Sequence, residues 1–158
     1  MAGAAHICLS DINPKALQLA KINAAHAGLE ATLNLGSGLE GCGSDLELVV
    51  TNPPFIADGG KTYSDGGAMY GLQLTLEWAI NALDRLAPQG RLLIYTGSAI
   101  LDGKDPFREE LACAAKARGM SLRYRELDPD IFSRQLSRRA YAGVERIAAV
   151  GAVVESFA

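Results

Sequence analysis

The chain contains no C-x-x-C pair, and its three cysteines, Cys8, Cys42 and Cys113, are an odd number far apart in sequence. That excludes a disulfide scaffold and predicts reduced, mostly buried thiols in a cytoplasmic protein. His6 begins an apolar run and His26 ends a helical pattern, with no Cys, Asp or Glu at ligand spacing, so no metal site is expected. No apolar run approaches the ~20 residues of a membrane helix. Met1-Ala2-Gly3-Ala4-Ala5-His6 lacks a basic region ahead of an apolar stretch and is not read as a secretory signal. Charge of one sign is not in excess. Fifteen Lys and Arg face 18 Asp and Glu, a net charge of −3, which excludes a wholesale electrostatic footprint for nucleic acid. Hydrophobic residues make up 49% and charged residues 21%, so disorder is excluded as the main state. At 158 residues the chain is expected to form a single domain spanning 1–158.

Strand and helix patterns alternate. His6 to Ser10 reads as a buried strand. Asn13 and Pro14 follow as an N-cap and a first-turn proline. Ala16, Leu17, Ala20, Ala24 and Ala27 then give one narrow apolar helical face, which Gly28 ends. Ala31 to Leu35 and Leu46 to Thr51 read as strands, and Leu72 to Leu86 as a helix closed by Pro88-Gln89-Gly90. Arg91 to Thr96 is a further strand. Asp105-Pro106 starts a helix running to Arg118, on which Cys113 is expected to be a buried small residue. Ser121 to Leu127 predicts a strand, Ile131 to Leu136 a short helix, and Val144 to Val154 a last strand interrupted at Gly151. The alternation implies βαβ units, hence an α/β fold with a mostly parallel, Rossmann-like sheet and flanking helices. The irregular stretch Ile56 to Tyr70, rich in glycine, has the length of a functional loop.

Thr51-Asn52-Pro53-Pro54-Phe55 stands where a strand ends, the place where open α/β sheets put ligands. Pro53 and Pro54 fix φ and remove two N–H donors, so the stretch presents carbonyls. Asn52 adds a side-chain oxygen. Two acceptors held side by side can take both N–H bonds of a planar NH₂ group while Phe55 stacks on its plane. The bland alternative is a strand-ending turn. Asp11, at the end of the first strand, can accept hydrogen bonds from the ribose hydroxyls of a nucleoside cofactor. Asn13 is the better-placed helix cap and frees Asp11 for that role. Gly36-Ser37-Gly38-Leu39-Glu40-Gly41 fits G-x-G-x-x-G, but too few residues separate it from the next strand for a crossover helix. It reads as a loop rather than a dinucleotide fingerprint.

Asn-Pro-Pro-Phe after Leu46-Glu47-Leu48-Val49-Val50-Thr51 resembles the class I S-adenosylmethionine-dependent N-methyltransferases, especially the HemK-like and methyltransferase small-domain members. Ser64-Asp65-Gly66-Gly67 to Gly71-Leu72 is similar to the segment HemK-type enzymes carry before the next helix. Leu86-Ala87-Pro88-Gln89-Gly90 resembles the family's turn into the following strand. The resemblance implies S-adenosylmethionine as cofactor and methyl transfer to a planar NH₂ acceptor, a protein glutamine amide or a nucleobase amine. It assigns Asn52, Pro53, Pro54 and Phe55 to the acceptor and Asp11, Ile12, Ser37 and Asn52 to the cofactor. Ser37 stands where the family often has an acid facing adenine.

Nothing like the family's acid-x-Gly-x-Gly-x-Gly precedes His6. The chain is therefore expected to be an N-terminally truncated methyltransferase domain without the fold's first strand. Either His6–Ser10 pairs directly with Leu46–Thr51, or a second copy of the chain completes the sheet. The alternative function is a methyltransferase-like domain with no competent cofactor site. Partners implied are an acceptor protein, an RNA or DNA base or a small molecule, and no membrane. Arg134, Arg138 and Arg139, with Arg123 and Arg125, form either a solvated basic face or a contact for an acidic partner or phosphates.

Overall fold

The computed structural model describes residues 3–60 and 63–157, which fall into two compact units, Met1–Gly43 and Ser44–Ala158. Lys61 and Thr62, inside the glycine-rich stretch, lie outside the described residues.

In the first unit, strand β1 (Cys8–Asp11) pairs in parallel with β2 (Thr32–Leu35), so that Asp11 stands opposite Leu35. Helix α1 (Pro14–His26) connects them. The Asn13 side chain caps α1 by accepting from the Lys15 N–H at 3.0 Å, with Pro14 in the first turn. Gly28 at φ +69° ends α1 in the left-handed conformation, its N–H donating to the Ala25 carbonyl. Among the described residues of this unit Leu17 is the buried hydrophobic one, while Leu19, Ile22, Leu29 and Leu35 are exposed.

In the second unit the sheet order is β3-β4-β6-β5, built from β3 (Leu46–Thr51), β4 (Leu86–Ile100), β5 (Ser121–Asp128) and β6 (Arg146–Glu155). β3 and β4 are parallel, and β6 runs antiparallel to both of its neighbours, so this sheet is mixed rather than parallel throughout. β1 pairs with β2 within the first unit, and β3 pairs with β4 within the second.

Register divides the residues of this sheet between its faces. Leu92, Ile94 and Thr96 of β4 pair with Val154, Ala152 and Val150 of β6, and all are buried. Two helices cover this face, α3 (Gln73–Leu83) and α4 (Pro106–Ala117). Thr75 of α3 meets Thr96 across a buried 3.4 Å hydrogen bond, and Phe107 of α4 lies 6.3 Å from the Tyr124 ring. On the opposite face Leu48, Val50 and Tyr95 are exposed, but Gly97, Ala99 and Ile147 further along are buried. That buried end of the face lies beneath the loop that follows β3.

Several predicted elements change. β4 is far longer than Arg91–Thr96 because Pro88-Gln89-Gly90 does not end the pairing. Gln89 takes φ +64°, the residues between Leu86 and Arg91 bulge out, and the ladder resumes. Ile131–Leu136 is replaced by two 3₁₀ turns, Ser133–Ser137 and Arg139–Tyr141. Gly151 does not interrupt β6. It pairs with Tyr95 and Arg125, and the Leu127 side chain rests on it. The cysteines are not mostly buried: Cys8 and Cys113 are exposed and Cys42 is half-buried. Cys113 sits on the outer side of α4, whose inner side is Phe107, Leu111, Ala114 and Ala115.

Because Phe107 is wholly buried against the sheet, Phe107→Ala is expected to destabilise the chain by about 3–5 kcal/mol. Leu48→Ala, on the open face, is expected to stay within about 0.5 kcal/mol. Urea midpoints check both, and equal effects would contradict the assignment of the two faces.

Candidate acceptor and cofactor sites

β3 delivers Thr51-Asn52-Pro53-Pro54-Phe55 at its C-terminal end. All described peptide bonds are trans, Pro53 is fully buried, and Asn52 is exposed. The buried proline anchors the turn, and the asparagine amide projects without a hydrogen-bond partner among the described residues. Phe55 lies over Gly97 of β4, where an added Cβ would stand 2.6 Å from the Phe55 Cδ2. The Phe55 ring also packs against Phe132, with centroids 5.8 Å apart and planes tilted by 49°.

The glycine-rich stretch folds back onto this turn. Ile56 and Asp65 form a β-bridge, and the Gly66 N–H donates to the Ile56 carbonyl at 2.8 Å. A Cβ on Gly66 would collide with the Gly71 carbonyl and approach the Pro54 carbonyl. Gly71, at φ +94°, lies against the backbone of Phe55, Ile56 and Ala57 in the same way. The single-turn element α2 (Ala68–Gly71) makes the return, with Met69 and Tyr70 in left-handed conformations. Glycine is required here because backbone meets backbone.

Asp65 holds the stretch together. Its carboxylate accepts from the N–H groups of Asp58, Gly60 and Gly67. Those backbone bonds, Gly67 foremost, pull its pKa below the ordinary 3.8, against an opposing push from the nearby Asp58 charge.

Sequence reasoning did not find three contributors to this site: Gly97, Phe132 and Tyr141. The Tyr141 hydroxyl accepts from the Ala57 N–H at 2.8 Å, and the side chain is 1% exposed. Burial raises the Tyr141 phenol pKa, partly offset by the Ala57 N–H and the Arg138 charge. Of the arginine cluster, Arg138 pairs with Asp58 at 3.1 Å and Arg123 with Glu155 at 3.3 Å. Arg134 and Arg139 are exposed and make no ion pair among the described residues. A mid-strand glycine in Tyr95-Thr96-Gly97-Ser98 was the one local signal for a close approach.

The cofactor candidates Asp11, Ile12 and Ser37 come together in the first unit, at the C-terminal ends of β1 and β2. Asn13 is the helix cap, as expected. Asp11 nevertheless commits one carboxylate oxygen to the Asn13 N–H, at 2.7 Å, and keeps the other. Ile12 is exposed. Gly36–Gly41 is a loop with no helix, and the Ser37 N–H donates to the Glu40 carboxylate at 3.2 Å. Asn34 braces the loop by donating to the Ser10 hydroxyl and to the Glu40 carbonyl. Asn52, the fourth cofactor candidate, belongs to the second unit with the Pro53–Phe55 turn.

A separate cleft of about 430 Å³ lies at the start of α4, lined by Lys104, Asp105, Arg108, Tyr124 and Arg146 among others. Asp105 is saturated there by the Ser98 and Tyr124 hydroxyls and the Arg108 N–H. Burial and this carboxylate keep the Tyr124 phenol protonated. Among the described residues no group of His, Cys, Asp or Glu is placed to hold a metal ion, and no helix is long and apolar enough to cross a membrane.

Two outcomes follow from the packing and the charge. Gly97→Ala is expected to cost about 1–3 kcal/mol by forcing Phe55 off β4, read as a lower urea midpoint. An unchanged midpoint would show that the ring is not seated there. Asp65 has a folded-state pKa below its unfolded value, so its contribution is complete above 3.8 and is lost as pH falls through the lowered value. Amide protection at Gly60 and Gly67 should therefore fade in that acid range, and should be weak even at neutral pH in Asp65→Ala. Hydrogen exchange across pH decides this.

Residues 1–100 match the family described as methyltransferase small domain. The chain is 30% identical over 139 residues to a release factor glutamine methyltransferase of Deinococcus radiodurans, covering 86% of this chain and 49% of that protein. The chain thus spans about half the length of the curated relative it matches. A methyltransferase structure from Pyrococcus furiosus aligns with a TM-score of 0.59 at 14% identity, over 97% of this chain and 64% of that one. TrmN from Thermus thermophilus aligns with a TM-score of 0.58 at 20% identity, over 98% of this chain and 38% of that one. At such identities the structures speak for the fold, which is that of Rossmann-like methyltransferases, and the sequence match speaks for the family: the chain belongs to the methyltransferase small-domain family.

Proposed function

We propose that the chain carries the acceptor site, and the ribose side of the cofactor site, of an S-adenosylmethionine-dependent N-methyltransferase acting on a planar NH₂ group. The observation that carries this is the exposed amide of Asn52, without a partner among the described residues, beside the buried Pro53 at the end of β3. A rigid pair of acceptors, the Asn52 side-chain oxygen and a neighbouring carbonyl of the proline turn, accepts hydrogen bonds from both N–H groups of the incoming NH₂. That orientation directs the nitrogen lone pair; as the nitrogen gains the methyl group it gives up one of its two N–H protons, passed along its hydrogen bond to an acceptor of the turn and on to water, and the rest of the chain's contribution is positioning.

S-adenosylmethionine supplies, when bound, the electrophilic methyl group. The donor set fits its ribose in part. Asp11 retains a carboxylate oxygen able to accept from a hydroxyl, and Ser37 stands at the adjacent strand end. The glutamine amide named for the Deinococcus radiodurans relative is the acceptor we favour, with nucleobase amines as the second choice. The net charge of −3 supports a protein acceptor over bare nucleic acid. The soluble cytoplasm is the compartment consistent with this chemistry.

The experiment is transfer of radiolabelled methyl from S-adenosylmethionine to a bacterial release factor and to a glutamine-containing peptide. Asn52→Ala is expected to lower transfer roughly a hundredfold, since orientation is what it removes. Equal rates for the two proteins would refute the role of Asn52. Calorimetry with S-adenosylmethionine separates the runner-up: no binding and no transfer would mark a methyltransferase-like domain without a competent cofactor site.

A further inference from the structure

Between β5 and β6 the chain leaves the sheet and passes over the acceptor turn. Backbone bonds pin it at both ends. The Ile131 N–H donates to the Ile147 carbonyl and the Glu145 N–H to the Ile100 carbonyl, each at 2.9 Å. Inside, successive bonds from Gln135 to Phe132, Arg138 to Gln135 and Tyr141 to Arg138 give it a stiff three-residue rhythm. Three side chains on that rhythm reach consecutive parts of the turn. Phe132 meets the Phe55 ring, Tyr141 accepts from the Ala57 N–H, and Arg138 pairs with Asp58.

These contacts differ in weight. Pro53 and Pro54 offer no N–H, so Ala57 supplies one of the few donors by which the turn can be tied down. Its partner is a buried hydroxyl, and losing that partner leaves a part-buried N–H unsatisfied. The Arg138–Asp58 pair is 47% exposed on the arginine side and 14% on the aspartate side, so water screens it and it is the weaker tie. Phe132 closes the side of Phe55 that Gly97 does not.

We propose that residues 131–143 form a strap that holds Asn52 and Phe55 in place for methyl transfer, with Tyr141 and Arg138 as positioning residues. The proposal rests on the reading of Asn52–Phe55 as the acceptor site. Tyr141 and Arg138 reach Ala57 and Asp58, downstream of Asn52 and Phe55, so each acts through the turn. Arg138 engages Asp58 through one nitrogen, so a lysine can replace it.

The test uses the full chain in two arms. The first is nuclear magnetic resonance of Tyr141→Phe and Arg138→Ala, following the Asn52 side-chain amide and the exchange of the Ala57 amide. The indole of Trp78, the sole tryptophan, reports whether the fold is kept. The second arm is methyl transfer with the glutamine peptide. Expected are a shifted Asn52 signal, faster Ala57 exchange and an unmoved Trp78 signal. In the second arm kcat falls roughly ten- to a hundredfold at unchanged KM for S-adenosylmethionine, and Arg138→Lys recovers most of the loss. Unmoved Asn52 and Ala57 signals overturn the strap, as does an unchanged kcat, a Trp78 signal lost in both variants, or a lysine variant no better than alanine. If the unmutated chain transfers no methyl group, the acceptor reading falls instead, and the resonance arm alone decides the strap.

Discussion

The seat of Phe55 on Gly97 is the constraint on which the acceptor turn depends. β4 presents bare backbone at that point, and the ring occupies the space a side chain would fill. With the ring down, the chain leaving β3 must run close above the sheet. That closeness forces the next contacts to be backbone on backbone, and so requires Gly66 and Gly71 where the loop returns. The two prolines make the same geometry rigid from within, because neither can rotate φ to relieve a misplaced ring. Asn52 therefore emerges from a turn defined on all sides but its own.

The ties around that turn are of unequal strength, and the inequality has a logic. Asp65 collects three backbone N–H groups of its own loop on a half-buried carboxylate, so its effect is local order more than global stability. The Tyr141 hydroxyl accepts one hydrogen bond, from the Ala57 N–H, at a buried position. A buried bond resists water and is costly to leave unmade, whereas exposed charge contacts are screened and individually small. The loop can thus be loosened at Asp58 and Asp65 without unseating Phe55.

Much of the frame was legible locally. The Asn13 and Asp105 caps, each followed by proline, place the starts of α1 and α4 because capping chemistry needs only neighbours. Asn52-Pro53-Pro54-Phe55 was legible for the same reason: its stiffness is written in its own residues. What escaped depends on distant partners. The hydrogen bond between Tyr141 and Ala57 joins positions 84 residues apart, and a lone tyrosine in the polar stretch after β5 has no periodic signature. Pro88-Gln89-Gly90 reads as a stop because its turn chemistry is real, yet the ladder with β3 resumes beyond it, Leu86 pairing with Leu46 before the bulge and Arg91 with Leu48 after it. Cys113 was expected inside because it lies among alanines, but the helix face is decided by Phe107 and Leu111, and Cys113 falls on the other side.

The two units divide the functional labour unequally in physical terms. The acceptor turn stands on a sheet whose central strands, β4 and β6, bury side chain after side chain against α3 and α4. The ribose candidates stand on a two-stranded sheet and one helix that bury Leu17 and leave Leu19, Ile22 and Leu35 exposed. A two-stranded sheet with so small a core sits at the low end of local stability. On the proposed reading the acceptor turn is held by the larger core, and the Asp11 and Ser37 strand ends are the part that a bound nucleoside would order, since whatever binds only the ordered form deepens it by mass action.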